Sequence, residues 1–202
     1  MPNHKMVNGE SNAKVFLPNS FCMIVGLAFI LTGCPYHIWE PVGSEVELSS
    51  FRVSTDIPSG WHRFYDGTDD LLMSYDGLML QNIRIRDVSW ENNELKGGKI
   101  PLSNMSPKDL ATWLIGSSPG NVPVLNVEIL ESGESVLGES TGKRILLMAK
   151  SPKGLRYKQL HYVYFQEKYL VIFSYTAVAR HYFDRDQPVF ENIRQSFKPN
   201  LS

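Results

Sequence analysis

The sequence predicts an α+β domain built on an antiparallel sheet, and two features carry that expectation. Lys143 to Lys150, Leu155 to Gln166 and Tyr169 to Ala177 are dense in aliphatic, β-branched and aromatic residues. Only Ser151-Pro152-Lys153-Gly154 and Glu167-Lys168 separate them, connections too short for anything but antiparallel neighbours. The second feature is a pair of amphipathic helices, one starting at Ser106-Pro107 and one at about Gln187 to Phe197, each needing a sheet face to cover.

In chain order, Val46-x-Leu48 and Phe51-x-Val53 alternate as a strand with one buried face, ended by the turn residues of Ile57-Pro58-Ser59-Gly60-Trp61. LLMSY and LMLQNIRIRDV flank Asp76-Gly77, a dipeptide suited to a two-residue hairpin turn, and Arg84 and Arg86 alternate with Ile83 and Ile85 onto the opposite face. Glu91 to Leu102, with paired asparagines and paired glycines, reads as a loop. Ser106 is a good N-cap, with Pro107 in the first turn, Asp109 three residues after the cap, and Leu110, Trp113 and Leu114 on one face; Gly116 and Pro119-Gly120 stop that helix. Val122 to Glu131 alternates again, and Gly133 to Gly142 reads as a turn-rich connection. In the final helix Pro188 falls in the first turn, and Val189, Phe190, Ile193 and Phe197 form the buried stripe over the sheet.

The stretch FCMIVGLAFILTGC, Phe21 to Cys34, divides the chain. Its uncharged run from Phe21 to Leu31 is long enough for a signal-peptide core and shorter than the roughly 20 apolar residues of a spanning helix. It ends in Leu31-Thr32-Gly33-Cys34, where small residues precede the one side chain that can form a thioether to diacylglycerol; this resembles the lipobox of bacterial lipoproteins. The expected organisation is a signal peptide over residues 1–33, a tether over 34–44 with lipidation at Cys34, and one domain over 45–202. Cys22 would leave with the signal and Cys34 would be acylated, so no disulfide, thiolate metal cluster or cysteine nucleophile is expected in the domain. The formal charge of −1 argues against nucleic acid as a partner.

Chemistry-bearing motifs are sparse. Gly138-Glu139-Ser140-Thr141-Gly142 fits G-x-S-x-G, but a nucleophile elbow needs a helix after the serine, and the β-like Arg144-Ile145-Leu146-Leu147 follows instead. Gly138 to Lys143 has too few residues between its glycines for a phosphate loop. His161, His181 and Asp184 could supply two imidazoles and a carboxylate to a metal, or serve a hydrolase. The simpler expectation makes His161 a half-buried sheet residue and Arg180, His181, Arg185 and Asp186 a polar link between the last strand and the last helix. Tyr157, Tyr162, Tyr164, Tyr169 and Tyr175 are expected to pack on one face and place phenols at the solvent boundary on the other, with Trp61, Trp90 and Trp113 in or beside the core.

Phe51-x-Val53 leading to Ile57-Pro58-x-Gly60-Trp61, the Met105-Ser106-Pro107 helix start, the Leu137-Gly138 turn and the ending Phe190-Glu191-Asn192-Ile193-Arg194-Gln195-Ser196-Phe197-Lys198 resemble the Mog1/PsbP-like superfamily, which includes DcrB-like bacterial lipoproteins. That resemblance implies an α/β/α sandwich around a central antiparallel sheet, with no catalytic residues and no cofactor to carry over. It implies an accessory or binding role. The sequence expectation is thus a non-enzymatic lipoprotein of the bacterial envelope, held in the bilayer through acylated Cys34, on the outer membrane facing the periplasm, and serving a protein partner. The alternative is an envelope metal-binding protein or hydrolase using His161, His181 and Asp184.

Overall fold

In the computed structural model the chain divides into two units, Met1–His37 and Ile38–Ser202. The structure describes residues 39–42, 45–48, 51–54, 57–68, 70–89, 104–117, 124–165 and 169–199. The signal stretch with Cys34, the Glu91 to Leu102 segment, Trp90 and the Glu167-Lys168 turn lie outside the described residues.

Eight strands form one antiparallel sheet: β1 (Trp39–Pro41), β4 (His62–Phe64), β5 (Leu71–Ser74), β6 (Gln81–Ser89), β10 (Tyr169–Val178), β9 (Arg156–Phe165), β8 (Ser140–Lys150) and β7 (Leu125–Leu137), in that spatial order. β2 (Glu45–Leu48), β3 (Phe51–Ser54) and β11 (Lys198–Pro199) make a second sheet in the order β11-β3-β2. With the helices α1 (Pro107–Ser117) and α2 (Tyr182–Ser196) this is an α+β layout on an antiparallel sheet, as expected.

Pairing of β10 with β6 on one side and β9 on the other sets the two faces. Val171, Phe173, Tyr175 and Ala177 point to a core shared with Ile83, Ile85, Leu160, Tyr162, Tyr164, the α2 residues Phe183, Phe190 and Ile193, and Phe197 just after that helix. Leu170 and Ile172, one residue out of phase, point to a second core with Ile145, Leu147, Val163 and the α1 residues Leu110, Ala111 and Leu114. Because side chains alternate along a strand, the two helices pack on opposite faces. Strand β10 reads as an almost unbroken apolar run for that reason: both its faces are buried.

Helix α1 starts where its cap chemistry dictates. The Asp109 amide donates to Ser106 Oγ at 3.2 Å and Ser106 Oγ donates to the Asp109 carboxylate at 2.6 Å. Helix α2 is longer than expected, and Pro188 lies inside it rather than in its first turn. A proline there removes one backbone hydrogen bond and costs roughly 3 kcal/mol. The helix persists across it because Phe183, Phe190 and Ile193 are all buried on one side. Phe183 belongs to that stripe, while Val189 is only partly buried beside it.

Several local expectations change. Val46 to Val53 is not one strand but two paired strands, Val46 facing Val53. Trp39–Pro41, within the expected tether, pairs with β4, and the Trp39 ring lies 5.1 Å from that of Phe64. The β5–β6 hairpin closes over Tyr75–Leu80 rather than at Asp76-Gly77 alone, because Ser74 Oγ donates to the Gln81 carbonyl at 2.7 Å and accepts from the Gly77 amide at 2.9 Å. Gly133 to Gly142 is not a loop: only Gly138 and Glu139 turn, between Leu137 and Ser140. Gly138 has φ 59, the positive angle that a two-residue hairpin wants at its first central position. Gly142 sits inside β8 because a Cβ there would lie 2.2 Å from the Val163 carbonyl oxygen and 2.7 Å from the Tyr164 ring. The Ser151–Gly154 turn is as expected, with the Ser151 amide bonded to the Leu155 carbonyl at 2.8 Å.

Phe197, buried against Phe173 with rings 4.9 Å apart, closes the α2 core. Phe197→Ala is expected to cost about 3 to 5 kcal/mol, a large fraction of the stability of an ordinary domain. Gly142→Ala, which must push strand β9 away, is expected to lower the melting temperature as well, whereas Gly133→Ala, with open space around it, should leave it nearly unchanged. Equal melts for Gly142→Ala and Gly133→Ala would contradict the packing described.

Candidate functional site

Strands β6, β10 and β9 bring Arg84, Arg86, Ser174 and His161 onto the α1 face of the sheet. Arg84 is the register partner of Ser174, and Ser174 that of His161. His161 Nδ1 and Ser174 Oγ are 2.9 Å apart, and His161 Nε2 is buried with no hydrogen-bond partner among the described residues. Burial pulls the imidazole pKa from its ordinary 6.5 down to about 3, and the positive charge of Arg86 acts in the same direction. His161 is therefore neutral. Burial likewise lowers the pKa of Arg86, partly countered by the charge of Asp70. Arg84 donates to Asp66 at 2.7 Å and to Asp70 at 2.8 Å. At Asp66 burial opposes ionisation, but hydrogen bonds from Thr68 and Arg84 outweigh it, so its pKa lies below the ordinary value.

The structure does not bring His161, His181 and Asp184 together. His161 lies on the α1 face, while His181 and Asp184 start the helix that packs on the other face, and Asp184 is paired with Lys158 at 3.1 Å. Among the described residues no group of three His, Cys, Asp or Glu side chains is placed to hold a metal. Ser140 opens a strand, so the local geometry is a hairpin and not a nucleophile elbow.

The junction before α2 has its own constraint. His181 has φ 76 and ψ −58, and the Tyr182 amide bonds to the Arg180 carbonyl at 3.0 Å, a γ-turn of the strained positive-φ kind. Two ties hold it. Tyr175 Oη donates to the carbonyls of Tyr182 at 2.9 Å and Phe183 at 3.2 Å, and Arg185 pairs with both Asp186 and Asp76. This is the polar link between last strand and last helix that the sequence suggested.

Tyr162 and Tyr164 hydrogen-bond to side chains of α2. Tyr162 Oη donates to Glu191 at 2.6 Å and accepts from Arg144 at 3.2 Å, while Arg194 bonds both Glu191 and Tyr164. Burial, followed by the Glu191 carboxylate, pushes the Tyr162 phenol up to about 12. Tyr157, Tyr162, Tyr164 and Tyr175 are all buried, more fully than phenols at a solvent boundary would be. Among the described helices none is long and apolar enough to cross a membrane.

Strand β7 is one edge of the sheet and β1 the other; among the described strands β7 pairs with β8 alone, and it is exposed over most of its length. Val136 is 64% exposed, Leu125 52%, and Val127 and Leu130 are exposed as well. The register shifts between Leu125 and Glu128 and again between Ile129 and Glu131, with Asn126 at φ 51. The alternation visible in the sequence ends at Glu131, whereas the strand runs on through Gly133 to Leu137. The signal that could have revealed it is Ser135-Val136-Leu137 running straight into a Gly-Glu turn.

No family model matches the chain, and no curated protein matches it. Similar solved structures include one from Bacteroides thetaiotaomicron VPI-5482, 13% identical over 79% of this chain, TM-score 0.49. This chain spans about half of that one, 49%. Another is PA94 of Pseudomonas aeruginosa, a protein of unknown function, 9% identical, covering 81% of this chain and 99% of its own, TM-score 0.48. The solution structure of cyanobacterial PsbP (CyanoP) from Synechocystis sp. PCC 6803 is 13% identical, covering 78% of this chain and 96% of its own, TM-score 0.41.

Two measurements check the site. His161 is neutral in the folded protein and protonates in the unfolded chain below about pH 6.5, so the unfolded chain binds more protons between pH 6.5 and about 3. Stability should fall as pH drops through that window, and His161→Gln should remove about one proton from the slope; an unchanged slope would contradict the sealed imidazole. At the γ-turn, His181→Gly should raise stability by about 1 kcal/mol, or 2 to 4 °C in Tm, and His181→Val should lower it. Thermal melts in which valine outranks glycine would contradict the strain.

Proposed function

We propose that this chain is a lipid-anchored protein of the bacterial envelope, attached through acylated Cys34, whose domain is an α/β/α sandwich of the Mog1/PsbP kind acting as a non-enzymatic accessory or binding module for another envelope protein. The observation that carries the binding role is the β7 edge, a long strand whose outer flank pairs with no other described strand and whose valine and leucine side chains are exposed. The unpaired amides and carbonyls of an edge can accept another strand, and the bulges that blunt this one lie around Asn126 and Leu130, upstream of Glu131 to Leu137. The polar groups that a catalytic reading would use are instead separated by the sheet or sealed inside it. Anchoring is supported by the sequence FCMIVGLAFILTGC, and delivery to the outer membrane facing the periplasm is part of the same reading.

The anchoring is tested at Cys34. Each buried acyl methylene contributes about 0.8 kcal/mol, so two or three chains give stable anchoring where a single one gives only reversible binding. Cys34→Ala is expected to yield an uncleaved precursor without acyl mass, seen by intact-protein mass spectrometry and palmitate labelling. Recovery of a cleaved, lipid-free mature form from cells carrying the native sequence would overturn it.

A further inference from the structure

We infer that the corner of the sheet made by β1 and the end of β4, with Trp39 and Tyr65 at its tip, is a surface that rests in the headgroup layer of the bilayer. The inference rests on anchoring through acylated Cys34 and adds the face that the domain turns to the lipid. Strand β1 begins at Trp39, so only the four residues Pro35 to Ile38 lie between the acylated cysteine and the sheet. The five residue steps from Cys34 to Trp39 span at most about 18 Å even when fully extended. A diacylglyceryl group sits at the lipid–water boundary, and the polar layer outside the hydrocarbon is itself about 5 to 8 Å deep on each side. Trp39 is therefore tied within short reach of that layer.

Chain direction selects this corner. Strand β1 runs antiparallel to β4, with Trp39 facing Phe64, Glu40 facing Arg63 and Pro41 facing His62, so the tether enters at the end of the sheet where β4 finishes and Tyr65 follows. The corner is fixed to the domain: the Trp39 and Phe64 rings lie 5.1 Å apart, and beyond β1 the Val42 amide donates to the Trp61 carbonyl at 3.2 Å. Trp39 is 40% exposed and Tyr65 44%. Because side chains alternate, Trp39 lies on one face of the edge, and Tyr65, with the Arg63 guanidinium 4.5 Å from its ring centre, lies on the other. Rings of this kind place an apolar body against the acyl boundary and a polar N–H or O–H toward water, which is why tryptophan and tyrosine collect at membrane interfaces. The charge suits a zwitterionic surface. Asp66 and Asp70 are held by Arg84 at 2.7 and 2.8 Å, and Glu40 accepts from Tyr65 Oη at 3.1 Å, so this corner carries no surplus of cations to draw anionic lipid. Strand β7 is the opposite edge of the same sheet, seven strand spacings or about 33 Å away, and stays clear for a protein partner.

The test uses the full acylated chain, purified in detergent and reconstituted into phosphatidylcholine vesicles made with or without lipid brominated near the headgroup end of its acyl chains. Bromine quenches indole fluorescence only on close approach. The emission of Trp39 is read as the difference between the native and Trp39→Phe chains, Trp61 being buried in the core. That emission is expected to drop roughly twofold in the brominated vesicles, the indole lying at headgroup depth. Tyr65→Asp alters an exposed side chain, so it should remove most of the quenching and leave the melting temperature close to that of the native sequence. Vesicle-bound protein whose Trp39 emission is not quenched would overturn the inference and leave the anchoring intact. Quenching that Tyr65→Asp does not change would also overturn it, because the short tether alone would then account for the approach. Protein that fails to float with the vesicles and carries no acyl mass would overturn the anchoring, and this inference with it.

Discussion

Strand β10 is the constraint on which the rest of the domain depends. It is paired along both edges, by β6 and β9, and its side chains enter two cores that share no residue. Each core recruits its own helix: α2 covers Phe173 and Tyr175, and α1 covers the side of Leu170 and Ile172. A substitution on β10 is therefore felt on whichever face its parity selects. A slip of one residue would exchange the two cores and bury Ser174 and Thr176 where Phe173 and Tyr175 belong.

The same alternation decides what chemistry the domain can hold. Parity puts Ser174 and His161 together on the α1 face and puts the groups at the start of α2 on the other side. The imidazole is left neutral by burial and by the neighbouring guanidinium of Arg86. On the α2 face the phenols of Tyr162 and Tyr164 are tied to Glu191 and Arg194, which fastens the helix to β9 by charge-assisted hydrogen bonds as well as by apolar contact. Polar groups on both faces thus fix positions, and among the described strands β7 is left as a long exposed edge.

The sequence made the meander and both helices legible, because β8, β9 and β10 are long apolar runs with short connections and α1 has a strong cap. It failed where a residue type pointed one way locally and packing pointed the other. Pro188 marks a helix start by propensity, yet the burial of Phe183 extends α2 upstream of it. Gly133 and Gly142 look like loop residues, yet Gly142 is required inside β8 by the closeness of Val163. Asp76-Gly77 has the composition of a tight turn, but the Ser74 hydroxyl organises a longer one. The candidate trio His161, His181 and Asp184 was plausible on residue type alone; which face of the sheet each occupies depends on strand register and on long-range pairing that no local pattern encodes.

Residue-resolved amide hydrogen exchange tests this account most directly, since it reports both the doubly covered strand and the open edge. The slowest amides should fall on β10, from Val171 to Tyr175. Along β7, protection should alternate, with Gly133 and Ser135 slow and Ser132, Glu134 and Val136 fast. Fast exchange on β10, or uniform protection from Glu131 to Leu137, would contradict it.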